Sequence, residues 1–356
     1  MQRVAALKQA AFEKANFDGY LVFNPSNLIY FTGVPGTTAL LIPEDGEPKL
    51  YVYSVNYEQA KEEAKGFGVE LIHLGEDLMA KFAHEIQQFR IKNLAIDSLG
   101  VDSWRKLVTP TRGKTKLKMK PAFVSQLRAV KDESEIKLIR KACELTSLGA
   151  KIVCEVLSAG MKECEVAAEI EYAMRKHGSY GTAFDTAVSS GPASAFPHGG
   201  CSDREIRSGE LVVIDFGAVY KNYHSDLTRT LVAGKPSEKQ QQLFDIVRKA
   251  QQEALEAMKP NVKTKDVDSV ARKIIADSGY DGKFVHGLGH GVGLDIHEPP
   301  TLNMISKEKL QIGNVVTDEP GIYLVGYGGV RIEDTVLVTK TGAEKLTVGP
   351  YSLCKE

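Results

Sequence analysis

The sequence predicts an α/β (α+β) protein of two domains, a compact α/β domain over residues 1–124 and a pseudo-symmetric domain over residues 125–356. Three observations carry this. A length of 356 residues suits about two domains, each able to bury its own core. Helical and extended patterns alternate through the first third of the chain. The remainder passes twice through the order helix, helix, strand, hairpin, and two copies make a pseudo-symmetric domain rather than a solenoid.

In the first domain, residues 3–16 set Val4, Leu7, Ala11 and Phe12 on one helical face. Strands are expected at 20–23, 29–31, 39–42 and 49–52, separated by the loop NPSN, the break GVPG and the turn PEDGEP. Helix-prone stretches 57–65 and 77–88 then alternate with short strands near 70–73 and 93–97. Residues 124–131 read as a linker. Asp132 and Glu135 make a capping box for a helix reaching about Leu157, and a second helix covers 163–177. Strand 183–189 and a glycine-rich loop with Pro197 and His198 lead into the first hairpin. Pro236 and Ser237 open the second copy, with helices at 238–258 and 264–278, a strand at 284–285, and a loop rich in glycine and histidine.

Composition disfavours several classes. The formal net charge is −1, from 45 basic and 46 acidic residues, so no global field attracts nucleic acid or an anionic membrane. Cys143, Cys154, Cys164, Cys201 and Cys354 are odd in number and scattered, as in reduced thiols. With no signal-like N-terminus and no apolar run long enough to span a bilayer, the expected address is the cytoplasm.

The two hairpins carry the chemistry. Residues 209–230 read GELVVIDFGAVYKNYHSDLTRT, and residues 313–335 read GNVVTDEPGIYLVGYGGVRIEDT. Each opens on a Gly, places a carboxylate six residues later (Asp215, Glu319), and delivers a second after its turn (Asp226, Glu333). Such hairpins are expected to bring four carboxylates into one sheet. Converging acids repel one another and lose hydration, and two divalent cations relieve both costs.

His286, His290 and His297 lie in VHGLGHGVGLDIHE. A single imidazole added to a carboxylate-rich set suits Mn²⁺ or Co²⁺ ahead of Zn²⁺. The stretch is neither H-E-x-x-H nor a dinucleotide fingerprint, since Val292 stands where the third Gly would be. His286 reads as structural.

The blocks SGPASAFPHGG, VVIDFGAVYKNYHSDLTRT, HGLGHGVGLDIHE, TDEPGIY and GGVRIEDT resemble the signature blocks of the pita-bread metallopeptidases. That family contains methionine aminopeptidases, aminopeptidase P and prolidases. The first domain resembles the creatinase-type N-terminal domain of the latter two. By position, the resemblance makes Asp215, Asp226, His290, Glu319 and Glu333 ligands of two divalent metal ions per subunit, with Asp226 and Glu333 bridging. It makes His198 and His297 substrate contacts, and Arg331 a hydrogen-bonding support.

The implied activity is hydrolysis of the bond preceding proline in short proline-containing peptides, as an Xaa-Pro dipeptidase (prolidase). A hydroxide bridging the two metals would be the nucleophile and Glu319 the proton shuttle. A homodimer is also implied. Some archaeal prolidases carry an Arg four residues after the His297 position, and here that residue is Thr301. Aminopeptidase P, acting on Xaa-Pro-Yaa, is therefore the second reading. A metal-free binding protein or a creatinase would have lost ligands, and none is lost here.

Overall fold

The structure is a computed structural model that describes residues 1–353, so Cys354 lies outside the described residues. The chain divides into two compact units, Met1–Arg128 and Ala129–Glu356. In the first, six strands form one sheet in the order Gly68–Ile72, Lys49–Tyr53, Ala39–Pro43, Gly19–Val22, Asn93–Ile96, Lys116–Met119. Ala39–Pro43 is antiparallel to both neighbours and the other pairs are parallel. Parallel pairing requires crossovers, supplied by helices such as Ser54–Glu63 and Val101–Thr111. Leu21, Leu41, Phe82, Ile86 and Leu94 fill the core between these layers.

Two expectations are corrected, and two elements are added. Residues 29–31 are not a strand but part of helix Pro25–Thr32. NPSN is its start signal: the Asn24 side chain accepts from Asn27 N–H, Pro25 sits in the first turn, and Gly33 closes the helix in the left-handed region. The stretch 124–131 is mostly helical, within Ala122–Ala129. Helix Val101–Thr111 crosses over to strand Lys116–Met119, which completes the sheet, although the sequence pattern announces neither. The helix contains Pro110, and the strand is an edge with little burial.

The second unit is built on helices Glu133–Val156, Glu163–Lys176, Glu238–Ala257 and Thr264–Ile275. The expected capping box is present, with Asp132 accepting from Ser134 and Glu135 N–H while Glu135 accepts from Asp132 N–H. Ser237 and Gln240 repeat it at the start of the second copy. Each helix pair buries its apolar face against its own strands. Val166, Ile170 and Met174 meet Ile214 and Phe216 in one half, and Leu243, Val247 and Ala271 meet Val316 and Val336 in the other.

The four acids do not share one sheet, which corrects the sequence expectation. Strands Leu227–Val232, Leu211–Phe216 and Ala187–Ser190 form one sheet, and Glu298–Leu302, Gly289–Gly291, Val315–Asp318, Asp334–Val338 and Ala343–Lys345 another. Each half pairs within itself and the halves are stitched at their edges. Glu333 N–H donates to Thr228 O at 3.1 Å, and Asp226 N–H to Thr335 Oγ1 at 3.0 Å.

Residues 284–285 are irregular, and the local strand is Gly289–Gly291 instead. Its glycine is required by close approach: a Cβ on Gly289 would lie 2.2 Å from Thr317 O. Among the described residues no helix is long and apolar enough to cross a membrane, and Cys143, Cys154, Cys164 and Cys201 are free.

Candidate metal centre

Asp215 lies near the end of strand Leu211–Phe216, opposite Thr228 in the antiparallel register. Asp226 immediately precedes Leu227–Val232. In the second half Glu319 follows Val315–Asp318 and Glu333 immediately precedes Asp334–Val338. The same positions in the two copies thus converge from both sides. Donor atoms of Asp226, His290 and Glu333 all lie within 4.8 Å of one another. His290 Nε2 is 3.6 Å from Asp226 Oδ2 and 3.5 Å from Glu319 Oε1.

Threonines and an arginine fix the acids. Thr317 Oγ1 donates to Glu319 Oε1 at 3.0 Å, and Thr228 donates to Glu333. Both threonines stand two residues from an acid, where a strand returns side chains to the same face. The Arg331 guanidinium donates to Asp215 Oδ2 at 2.7 Å, Thr228 Oγ1 at 3.0 Å and Tyr323 OH at 3.0 Å. Burial opposes its charge, but Tyr323, Asp215, Glu333 and Glu319 outweigh that and hold its pKa well above the usual value.

The donor set fits divalent cations. Burial, followed by the charges of Glu333, Asp215 and Glu319, pushes Asp226 well above the usual carboxylate range. Burial, then Glu319 and Asp215, does the same to Glu333. Burial also raises Glu319, against the opposing effects of His286 and Arg331. Asp215 Oδ1 and Asp226 Oδ1 are buried without a hydrogen-bond partner, a costly state that a cation would remove.

His290 is prepared for the same role. Its Nδ1 faces Gly291 O at 3.1 Å, and since a carbonyl can only accept, the proton sits on Nδ1. Burial lowers its pKa, so the ring stays neutral and presents the Nε2 lone pair to Asp226 and Glu319.

A cavity of about 660 Å³ opens over these groups. All eight residues singled out by the sequence line it: the four acids and His290 of the candidate centre, together with His198, His297 and Arg331. His198 stands on an exposed turn. The His297 ring lies 4.1 Å from that of His290, and burial lowers its pKa.

His286 keeps both ring nitrogens on protein partners, as its structural reading expects. It too lines the cavity, with Nδ1 4.0 Å from Glu319 Oε2. Its Nδ1 donates to Gly287 O at 2.8 Å, leaving Nε2 to accept from Tyr323 OH at 2.8 Å, whose oxygen accepts from Arg331. Tyr323, Thr228 and Thr317 are contacts the sequence did not single out. The spacing of the threonines from the acids was the available signal, whereas nothing in the sequence marks the Tyr323–His286 contact.

Over residues 137–340 the chain matches metallopeptidase family M24, and over residues 3–130 the creatinase/prolidase N-terminal domain. It is 41% identical over 341 residues to the Xaa-Pro dipeptidase of Pyrococcus furiosus, covering 94% of each chain. Its fold matches the prolidase of Pyrococcus horikoshii OT3 with a TM-score of 0.92 at 40% identity, over 99% of this chain and 100% of that one. It matches the X-Pro aminopeptidase of Thermotoga maritima MSB8 with a TM-score of 0.87 at 37% identity, over 96% and 99% of the two chains. With duplicated acids, a neutral imidazole and these likenesses in agreement, the chain belongs to metallopeptidase family M24, preceded by a creatinase/prolidase N-terminal domain.

Proposed function

We propose that this chain is an Xaa-Pro dipeptidase that hydrolyses the peptide bond preceding proline, with two divalent cations held by Asp215, Asp226, His290, Glu319 and Glu333. The observation that carries the proposal is the convergence of Asp226, His290 and Glu333 beside two carboxylate oxygens without hydrogen bonds. Asp226 and Glu333 would be the acids shared between the two cations. Mn²⁺ or Co²⁺ suits this oxygen-rich set with one imidazole, ahead of Zn²⁺. When bound, such cations lower the pKa of coordinated water toward neutrality and polarise the scissile carbonyl.

The chain's own residues do the rest. Glu319, with its raised pKa, carries a proton from the attacking water to the leaving proline nitrogen. His198 and His297 face the cavity and donate to the oxyanion that develops on the carbonyl. Arg331 keeps Asp215 oriented. The imide nitrogen has no N–H to recognise, so selection falls on a cleft shaped to the pyrrolidine ring.

Relatives named dipeptidase and prolidase support the dipeptide reading. Thr301 favours a second reading, removal of the first residue of Xaa-Pro-Yaa, because a free C-terminal carboxylate is best held by a forked cation. The enzyme is taken to work as a cytoplasmic homodimer. Its free cysteines support a reducing compartment, and light scattering on the purified protein tests the dimer. The central test strips the metals with chelator, restores Mn²⁺ or Co²⁺, and assays Ala-Pro and Ala-Pro-Ala. Cleavage of neither overturns the proposal.

A further inference from the structure

We infer that the buried Lys131–Glu298 ion pair positions His297 for the reaction. Lys131 Nζ lies 2.6 Å from Glu298 Oε1, with the two side chains only 1% and 4% exposed. Lys131 is itself anchored at the base of the second acidic hairpin: its N–H donates to Gly313 O at 2.9 Å, and the neighbouring Ala129 O accepts from Asn314 Nδ2 at 2.8 Å. Glu298 opens the strand that pairs with Gly289–Gly291, the strand carrying His290. The pair therefore ties the His297 segment to the second acidic hairpin and to the strand that carries His290.

The geometry explains why the segment needs such a tie. His297 stands in the bend immediately before the strand that Glu298 opens. With Glu298 turned inward to Lys131, His297 is turned into the cavity, against the His290 ring. Among the described residues no hydrogen bond holds the His297 ring itself, so its aim is set through its backbone. A buried ion pair is a poor source of net stability, since desolvation offsets the attraction, but it admits few alternative arrangements. Glu298 also packs against Gly293, where a Cβ would come within 2.4 Å of Glu298 Oε1. Lys131 and Glu298 are thus positioning residues that do not touch substrate.

This inference rests on the assignment of His297 to the reaction, and a double-mutant cycle on the metal-loaded enzyme separates the two. Lys131→Met with Glu298→Gln removes both charges together and leaves no uncompensated one. We expect kcat to fall about 10- to 100-fold, the scale of a small misplacement of a catalytic group, with KM and bound metal changed less than about two-fold. In a His297→Ala background the same two substitutions should cost nothing further in kcat. A purely structural role would instead give losses that add in both backgrounds. Should the double substitution fail to fold, Glu298→Asp alone, which keeps the carboxylate but shortens its reach to Lys131, is read by the same cycle, with a few-fold loss expected only when His297 is present. Wild-type kcat in the pair variant, or additive losses, overturns the inference while leaving His297 in its role. An undiminished kcat in His297→Ala overturns the assignment of His297 and the inference with it.

Discussion

The Arg331 guanidinium lies 2.7 Å from Asp215 Oδ2, almost fully buried, and its other nitrogens are occupied by Thr228 and Tyr323. Three partners at fixed directions need a planar fork, which an ammonium does not provide. Arg331→Lys should keep the charge and lose the orientation of Asp215. We expect kcat/KM to fall about 10- to 100-fold and metal affinity to drop by a similar factor, read by steady-state kinetics and calorimetric metal titration.

Asp226 is the acid whose replacement should cost most. It is buried, faces Glu333 and His290, and has an oxygen with no hydrogen bond. Asp226→Asn removes one negative charge and one donor from the proposed bridging position. Turnover should fall at least about 1,000-fold even at saturating metal, and metal per subunit should decrease. Near-normal turnover in that variant would count against the bridging role.

The raised pKa values of Asp226 and Glu333 predict how pH acts on the metal-free protein. Each native acid holds its proton at a pH where the unfolded chain has released it. The stability linked to that proton is fully present below the ordinary carboxylate range, near pH 4, and is lost as pH rises through the raised native values. Cations held by the proposed ligands would replace the protons and remove the loss. The Tm difference between metal-loaded and metal-free protein should therefore widen as pH rises above about 4, and scanning calorimetry at several pH values checks it. A constant difference would show that these acids do not carry the linkage.

Asp318 is completely buried, and neither of its carboxylate oxygens has a hydrogen-bond partner. Burial pushes its pKa well above the usual range. It stands opposite Asp334 in the strand register, and Asp334 already receives Arg229, Gln251, Tyr351 and Thr347. Asp318→Val exchanges an unsatisfied polar group for a β-branched apolar one on a strand. It should stabilise the protein by about 1–2 kcal/mol, a rise of a few degrees in Tm. Because Asp318 does not line the cavity, kcat should stay within about two-fold of wild type.

Thr301 gives a test of selectivity. Arg331 is the only Lys or Arg among the described residues lining the cavity, and its nitrogens are already engaged. Thr301→Arg adds a forked cation where a dipeptide's carboxylate can reach it. KM for Ala-Pro should fall about ten-fold with little change in kcat, the pattern of added uniform binding, while Ala-Pro-Ala should gain nothing. Equal effects on both peptides would place the carboxylate elsewhere.

Legibility followed locality. The capping boxes at Asp132 and Ser237, the duplicated order of elements and the acids of both hairpins could be read because each signal lies within a few residues of chain. Helix Pro25–Thr32 was misread although its signature, Asn24 before Pro25 with Gly33 after, was present; a short apolar run suits strand and helix alike. Strand Lys116–Met119 was missed because an edge strand with exposed side chains has no buried face to pattern it.

The sequence by itself determined the chemistry of this protein: four duplicated carboxylates beside a glycine-flanked histidine leave divalent cations as the economical way to keep such groups together. Only the tertiary structure decided how those groups are held. It put the acids on two sheets joined at their edges, brought Tyr323 to His286 and Arg331, and joined Lys131 to Glu298 across 167 residues of chain. Those contacts link residues far apart in sequence, and their free energy comes from burial and from donors matched to acceptors, quantities that exist only once the chain has folded.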